Sequence, residues 1–523
     1  MEIDRRPGGL CRACFTVLTV WLVGGCASGG GRMAVRQAVG DAPADAPPAR
    51  FDVAEQHTEP QPPVLDESAD LSDYLTCAAL NNPGLEAAFH RWKAALERVP
   101  QVTALPDPRF SYRYFIEEVE TRVGPQQQAF GLSQTFPWLG KLQLRGDVAA
   151  QEAEAVRQRY EAEKLALFYR VKDAYYEYYY LGRAIAVVRK NRDLLEDLEQ
   201  VVRAEYKTGE AGYSEVIRAQ VELEKLEDSL RALVDLRGPI VARLNAALNR
   251  PAHADLPFPQ DAPQERIDAG DKEILAWADE ANPELKALDH EIAQRRSAVD
   301  LAGLACVPDF TVGVDYTDVG SAVRPRGAGL RNPAALRSLS RFAGGMGDPL
   351  DVYAIGNSFL SGSAPDDAGK DVWAVSVSMN VPIWYGKYAA GQREARARHL
   401  AAMAEKSERR NALAARIKMA LYQLRDADRK IDLYRDTLLA KARQALESTE
   451  AAFRAGKAGF LDLVDAERTL LDFELSYERA LAGKAQRLAE VEMLVGRTIP
   501  RRQQTEAESQ TTGEAQGRPQ DGS

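Results

Sequence analysis

The chain has 523 residues, of which 45% are hydrophobic and 28% are charged, and its formal net charge is −10. This composition is typical of a folded protein with a large wetted surface, and the negative charge argues against a nucleic-acid partner, which would favour a basic face. The five cysteines and five histidines show neither a paired framework nor a metal-ligand spacing, so no cofactor is predicted.

Residues 1–25 have the features of an export signal, because arginines precede an apolar run that is too short to span a bilayer. The run ends in Gly24-Gly25-Cys26, which resembles a bacterial lipobox. We therefore expect Cys26 to be lipidated and to become the mature N-terminus. The alternatives are an ordinary signal peptide cut near Ala27 and a start codon placed too far upstream. By the same resemblance, Ala27 favours sorting to the outer membrane.

Residues 26–67 are predicted to form the lipidated N-terminus and a flexible tether, since Pro, Ala and Gly dominate there. A helix is expected over residues 71–104, interrupted at Asn82-Pro83. Two alternating runs of about ten residues follow from Phe110, the length of a tilted membrane strand. Their aromatic face would meet lipid, and their small polar face, with Arg113, would meet a water-filled lumen. A soluble hairpin packed on a core is the alternative.

A proline-free helix is predicted from residue 141 to about residue 207, which makes it about 100 Å long at about 1.5 Å per residue. A second helix then extends to Asn249 with the apolar spacing of a coiled coil. Gly209, Ala211 and Gly212 separate the two helices, and two glycines three apart are typical of the tight bend of a helical hairpin.

The chain contains this hairpin twice, because adding 247 to the numbers of residues 206–250 aligns them with residues 453–497 without a gap. The second half repeats the earlier order: a helix interrupted at Asn282-Pro283, two alternating strands, a long helix, a bend at Gly456-x-Ala458-Gly459, and a last helix. Asp315 lies on the small polar face of the third strand. The predicted domains are a first repeat at 68–250, a linker at 251–267, a second repeat at 268–498 containing a long 320–370 loop, and a disordered polar tail at 499–523.

Four strands per chain cannot close a barrel, since about eight strands are the practical minimum. Unpaired strand edges in lipid are prohibitively costly, so the strands must be pooled between chains. Three chains would give a twelve-stranded barrel continued by a helical cylinder, whereas two chains would give a barrel too narrow to conduct. We therefore predict a mainly α fold with a β-barrel portion, assembled as a homotrimer.

These features resemble the TolC family of outer-membrane channels, which serve tripartite efflux pumps and type I secretion systems. The resemblance covers nearly all of residues 68–498 and is carried by the duplicated bends and the strand-to-helix junctions: Tyr206-x-x-Gly209-x-x-Gly212-x-x-Glu215-Val216, Phe453-x-x-Gly456-x-x-Gly459-x-x-Asp462-Leu463, Ser133-Gln134-Thr135-Phe136-Pro137-Trp138 and Asn380-Val381-Pro382-Ile383-Trp384. It implies a trimer with a barrel in the outer membrane of a Gram-negative-type cell and a helical tunnel in the periplasm. It also implies a closed periplasmic tip that opens when an inner-membrane transporter and its periplasmic adaptor engage.

Asp462 and Asp465 lie three apart, on one helical face just after the second bend. Threefold symmetry would gather six carboxylates around the axis, and the resemblance places them at the acidic rings of the closed entrance. The alternative is an ordinary acidic first helical turn favoured by the helix macrodipole.

The bends themselves resemble the surface that meets adaptor hairpins, although glycines also serve simply to permit a turn. This candidate surface comprises Gly209, Ala211, Gly212, Gly456, Ala458 and Gly459, with Glu215 as a further candidate that would face outwards.

Nothing in the sequence predicts catalysis, since no phosphate-binding loop, nucleophile elbow or HExxH motif occurs. Cys77 and Cys306 are predicted to lie about 40 Å apart and to remain unpaired. The competing function is a soluble periplasmic coiled-coil adaptor or scaffold lipoprotein without a pore. Two hairpins joined to aromatic strands argue against that alternative.

Overall fold

The computed structural model describes residues 63–209, 212–262, 266–320 and 367–502. The predicted signal peptide, Cys26, most of the tether, Ala211, most of the 320–370 loop and the tail after residue 502 lie outside these ranges. Within the described ranges, no helix combines the length and apolarity that crossing a bilayer would require.

The first repeat follows the predicted order of elements. Its helices and strands are α1 (Leu71–Asn81), α2 (Pro83–Thr103), β1 (Arg109–Thr121), β2 (Gly124–Phe136), α3 (Lys141–Thr208) and α4 (Tyr213–Leu248). The break between α1 and α2 has a local cause, because the Asn82 side chain accepts hydrogen bonds from the backbone N–H groups of Gly84 and Leu85 at 3.0 and 3.1 Å. Pro83 then starts α2, where its missing N–H has no cost.

The second repeat preserves this order after the short strand β3 (Arg266–Ile267). Its elements are α5 (Asp271–Ala281), α6 (Pro283–Gly303), β4 (Phe310–Val319), β5 (Val372–Met379), α7 (Tyr385–Leu433), α8 (Leu439–Arg454), α9 (Phe460–Val495) and β6 (Arg501–Arg502). Asn282 caps α6 as Asn82 caps α2, accepting from the N–H of Leu285 at 3.0 Å. The second long helix extends towards the second bend as predicted, and it contains one unpredicted feature, a π-helical turn at Tyr434–Leu438 that joins α7 to α8.

In each repeat the short helices pack along one long helix. α2 and α4 pack against α3, and α6 and α9 pack against α7, so two short helices cover the length of one long rod. The repeats also pack on each other, with α6 and α9 against α3. The helical body is therefore a duplicated set of hairpins, as the sequence predicts.

Ion pairs connect the middle of α3, in the first repeat, with α9 of the second repeat. The pairs with their N–O distances are Lys172–Glu492 at 2.7 Å, Arg183–Glu478 at 2.9 Å, Arg479–Glu177 at 2.6 Å and Lys190–Glu474 at 3.8 Å. Three of the α9 carboxylates in this series are buried, so removing their partners would leave charges out of water. This series fixes the register of the two repeats above the tips.

The four long strands form one antiparallel sheet in the order β1-β2-β4-β5. The central β2–β4 pairing joins the repeats, with Phe130 opposite Tyr316 and Leu132 opposite Val314. β1 and β5 are consequently the two edge strands of the sheet within one chain.

The two faces of this sheet differ as the alternation predicts. One face carries large apolar side chains that are exposed in the single chain: Phe110, Tyr112, Tyr114, Ile116, Leu132, Val312, Val314, Trp373, Val375, Val377 and Met379. The other face is crowded with small polar groups, since a Cβ on Gly131 would lie 2.5 Å from Ser111 Oγ and 2.6 Å from Asp315 Oδ1. Asp315 thus lies on the polar face, as predicted.

A small second sheet lies beside the helices. β3 pairs antiparallel with β6, and the Arg266 guanidinium donates to Asp432 Oδ1 at 2.7 Å. Ile499 is buried, so ordered chain continues past the predicted end of the second repeat at residue 498. Cys77 is buried and Cys306 is partly buried, and both are unpaired, as predicted.

Gly496, which ends α9, offers a test of this packing. Its φ is +86°, and a Cβ there would lie 2.8 Å from the carbonyl oxygen of Ala281. Gly496→Ala is therefore expected to destabilise the protein by about 1–3 kcal/mol, because a strained backbone and a close contact combine. Thermal unfolding followed by circular dichroism measures the change.

Gly483→Ala is the matched control in the same helix, since nothing lies within 4 Å of its Cβ. This control should stabilise the protein by about 0.5–1 kcal/mol. Equal midpoints for the two variants would contradict this packing.

Candidate functional site

The two helical bends have the same backbone construction. Gly209 ends α3 with φ +83°, and Gly456 follows α8 with φ +68°. A Cβ at either position would meet no atom within 4 Å. Glycine is therefore required here by the left-handed backbone and not by crowding.

The next helix of each hairpin begins with an acidic side chain that accepts a hydrogen bond from the backbone N–H of the preceding glycine. The extended Gly212 donates its N–H to Glu215 Oε2 at 3.1 Å, and Gly459 donates to Asp462 Oδ2 at 3.0 Å. A carboxylate at this position also interacts favourably with the positive end of the helix dipole. Glu215 and Asp462 thus act as acidic residues of a first helical turn, which is the structural alternative to a gating role. Each carboxylate keeps a second oxygen for other contacts.

The tips of the two hairpins pack into one apolar cluster. It contains Leu195, Leu198 and Val202 of α3, Val216 and Ala219 of α4, Phe453 of α8, and Phe460, Leu463 and Val464 of α9. Ala458 packs against this cluster from the second bend. The tips therefore form a single four-helix unit within one chain.

The two repeats use their tip aromatics differently. Tyr206 and Tyr213 of the first tip contact each other at 5.7 Å between ring centroids, and Tyr213 is 62% exposed. Their equivalents Phe453 and Phe460 are buried, and Phe460 is only 1% exposed. The second tip is thus covered by its own chain, whereas the first tip presents an aromatic pair at its surface.

Asp465 and Asp462 are both exposed on α9. Asp465 Oδ1 lies 3.6 Å from Arg468 Nη1. The same guanidinium forms an ion pair with Glu222 of α4, which also accepts from Lys225 Nζ at 2.8 Å. Arg468 therefore connects the acidic second tip to the first hairpin.

The carboxylate of Glu222 is held ionised by these partners. Burial acts to raise its pKa, but hydrogen bonds from Lys225 and Arg468 outweigh burial, so the pKa lies below its ordinary value. Because the pKa of Glu222 is lower in the folded chain than in the unfolded chain, its ionised carboxylate stabilises the fold at pH values above the unfolded pKa. This contribution is lost as the pH falls through the folded pKa. The Arg468–Glu222 contact is thus intact at neutral pH and weakens only in acid.

The structure brings together most of the predicted tip residues. Asp462, Asp465, Gly456 and Gly459 lie at one tip with Ala458 beside them, and Gly209, Gly212 and Glu215 lie at the other; Ala211 is outside the described residues. Sequence reasoning missed Arg468 and Glu222. Arg468 follows Asp465 by three residues, which indicates a pair within the helix but gives no indication of its partner on α4.

A family model of outer membrane efflux proteins matches this chain at residues 75–250 and 275–497. The two matched ranges contain both helical hairpins and all four strands of the shared sheet. The chain belongs to the outer membrane efflux protein family. Members of this family are passive transport conduits, so the predictions of an efflux channel component and of a protein without enzymatic activity are confirmed, and the soluble adaptor alternative has no support.

Solved structures agree on the fold. The chain is 15% identical to VceC of Vibrio cholerae, with a TM-score of 0.62 over 82% of this chain and 97% of that one. It is 19% identical to the MtrE channel of Neisseria gonorrhoeae, with a TM-score of 0.61 over 83% and 91%. It is 14% identical to the CmeC channel of Campylobacter jejuni, with a TM-score of 0.63 over 90% and 97%. A comparison with curated protein sequences gave no match.

Proposed function

We propose that three copies of this chain form one conduit, with their sheets closed into a twelve-stranded barrel in the outer membrane. The observation that carries this proposal is the sheet itself. Within one chain, β1 and β5 are unpaired edges, and one face carries a continuous group of exposed aromatic and aliphatic side chains. Hydrocarbon satisfies the apolar face, and only neighbouring chains can satisfy the edges. The polar face, with Asp315 and Arg113, then lines the water-filled interior.

The helical tips form the periplasmic entrance of this conduit in our proposal. The second tip faces the threefold axis, so that Asp462 and Asp465 of three chains surround a narrow opening. The exposed Tyr206–Tyr213 pair supports placing the first tip outwards, where Gly209, Gly212 and Glu215 are accessible to a periplasmic adaptor. Opening requires the adaptor and an inner-membrane transporter, and the Arg468–Glu222 contact has to break when the second hairpin moves away from the first.

The ends of the chain complete the proposal. Cys26 is the lipidated residue that follows a signal peptide at 1–25, and the tether at 26–67 connects this anchor to the body. The division into repeats at 68–250 and 268–498, joined by the linker at 251–267, remains a prediction. An acyl chain contributes about 0.8 kcal/mol per buried methylene, so two or three chains would hold the N-terminus firmly at the membrane.

The acidic entrance is tested by replacing Asp462 and Asp465 together with Asn. Asn keeps an oxygen acceptor for the Gly459 N–H, so the cap remains while six charges per trimer disappear. We expect the closed channel to lose its cation preference in planar bilayers, with a several-fold drop in the cation-to-anion permeability ratio.

Glu215→Gln is the matched control for this experiment. Glu215 has the equivalent capping position in the first hairpin, which we place away from the axis. The control should leave ion selectivity unchanged. Unchanged selectivity in the Asp462→Asn, Asp465→Asn channel, or an equal effect of Glu215→Gln, would reject the assignment of the entrance.

A further inference from the structure

Glu467 lies inside the tip, and none of the ion pairs among the described residues includes its carboxylate. It is on α9 and only 4% exposed, between the apolar cluster that contains Leu463 and Val464 and a second cluster that contains Leu470. Its Oε1 atom makes no hydrogen bond within the part of the chain that the structure describes. A buried carboxyl group in such surroundings favours its neutral form.

The first repeat shows what is missing at this position. The 247-residue offset places Gln220 at the position of Glu467 and Glu199 at the position of Leu446. In the first repeat, Gln220 Nε2 donates to Glu199 Oε1 at 3.1 Å. In the second repeat, Leu446 packs against the clusters on both sides of Glu467 along α9. The first hairpin thus has a hydrogen-bonded Gln–Glu pair at these two positions, whereas the second hairpin has Glu467 and the aliphatic Leu446.

The charged side chains of the surrounding helices that form ion pairs pair with residues other than Glu467. Burial is the only cause of the raised pKa of Glu467, to about 7, and no neighbouring charge contributes. The charged side chains of this region and their partners are Glu199 with Arg203 on α3, Glu222 with Lys225 on α4 and with Arg468 on α9, Arg443 on α8 with Glu474 on α9, Arg454 with Glu450 on α8, and Asp465 with Arg468 on α9.

We propose that Glu467 is a proton-sensitive element that stabilises the packed tip when its carboxyl group is protonated and loosens the second hairpin when it ionises. The proposal adds a regulatory element to the gate described above and rests on that function only for its effect on conduction. On ionisation the proton passes to solvent, and the carboxylate gains water once α9 separates from its neighbours.

The direction of the effect follows from the raised pKa. The packed tip holds the proton at pH values where an exposed glutamate has already lost it. The stabilising contribution is therefore complete below the pKa of the exposed group, decreases between the two pKa values, and is lost above about pH 7. If opening exposes Glu467, the open-to-packed ratio rises about tenfold between roughly pH 6 and roughly pH 8.

Hydrogen exchange of the full-length protein in detergent measures this ratio directly. Peptides from α8 and from Phe460–Leu470 should show protection factors about tenfold lower at roughly pH 8 than at roughly pH 6, after correction for intrinsic exchange rates. Glu467→Gln has nearly the same shape but cannot ionise, so its protection factors should be equal at both pH values. Leu446→Gln offers Glu467 the amide partner that Glu199 has in the first repeat, and this variant should also reduce the pH dependence.

Two outcomes overturn the proposal: wild-type protection factors that do not change with pH, or a change that persists in both variants. Bilayer conductance at the same two pH values separates this proposal from the proposed function. A pH-dependent protection factor without any measurable current would leave the proton-sensitive element standing and reject the conduit. A measurable current together with pH-independent protection factors would support the conduit and reject the proton-sensitive element.

Discussion

Val375→Arg is expected to abolish stable assembly in the outer membrane. Val375 is 75% exposed on the apolar face of β5, and an arginine on the lipid face of a barrel costs about 2–4 kcal/mol near the bilayer midplane. The cost occurs three times in a trimer. We expect the variant to be lost from detergent-extracted outer-membrane fractions, as measured by immunoblotting of fractionated cells.

Ala374→Arg is the matched control, because it places the same side chain on the same strand but on the opposite face. Ala374 pairs with Asp315 across the sheet, so an arginine there lies beside a carboxylate on the polar face. This control should assemble normally. If both variants assembled equally well, or if only Ala374→Arg failed, the apolar face of the sheet would not be the lipid face.

Arg468→Ala is expected to open the tip. The Arg468 side chain is 49% exposed and that of Glu222 is 17% exposed, so the contact is screened and contributes about 0.2–1 kcal/mol per chain. If the three tips move together, loss of three such contacts would raise the open-to-closed ratio by a factor between about three and about two orders of magnitude. Single-channel recording should show a matching rise in open probability, and Glu222→Gln should have a similar effect.

A double-mutant cycle isolates this contact from other consequences of the substitutions. Combining Arg468→Ala with Glu222→Gln should add little to either change alone, since both remove the same interaction. Arg454→Ala is the matched control, because Arg454 pairs with Glu450 within α8 and does not connect the hairpins. Full additivity in the cycle, or an open channel in the control, would show that the Arg468–Glu222 contact does not keep the tip closed.

The architecture could be predicted because each of its causes is local or repeated. Asn82-Pro83 and Asn282-Pro283 stop and restart helices through their own side chains, and alternation from Phe110 onwards identifies a strand face. The 247-residue offset then gave each hairpin an equivalent in the other half of the chain, which supported both assignments. These signals depend on neighbours a few residues apart, which the sequence displays directly.

The details that were missed depend on contacts between distant segments. The π-helical turn at Tyr434–Leu438 contains neither Gly nor Pro, so no local signal marks it. The β3–β6 pairing joins Arg266 and Arg502, which flank the second repeat on either side. The Arg468–Glu222 contact and the burial of Glu467 likewise follow from how the hairpins pack, which periodicity alone does not determine.

Disulfide trapping between β1 and β5 tests whether the sheets of three chains close into one barrel. These strands are the two edges of the four-stranded sheet, about 14 Å apart within one chain at about 4.8 Å per strand, and a disulfide requires Cα atoms within about 7 Å. Cysteine at Tyr112 or Tyr114, combined with cysteine at Trp373 or Val375, can therefore link only different chains. We expect at least one combination to give a covalent three-chain ring on denaturing gels of outer membranes. A chain that stays monomeric in every combination, and that dissolves in buffer without detergent, would contradict it.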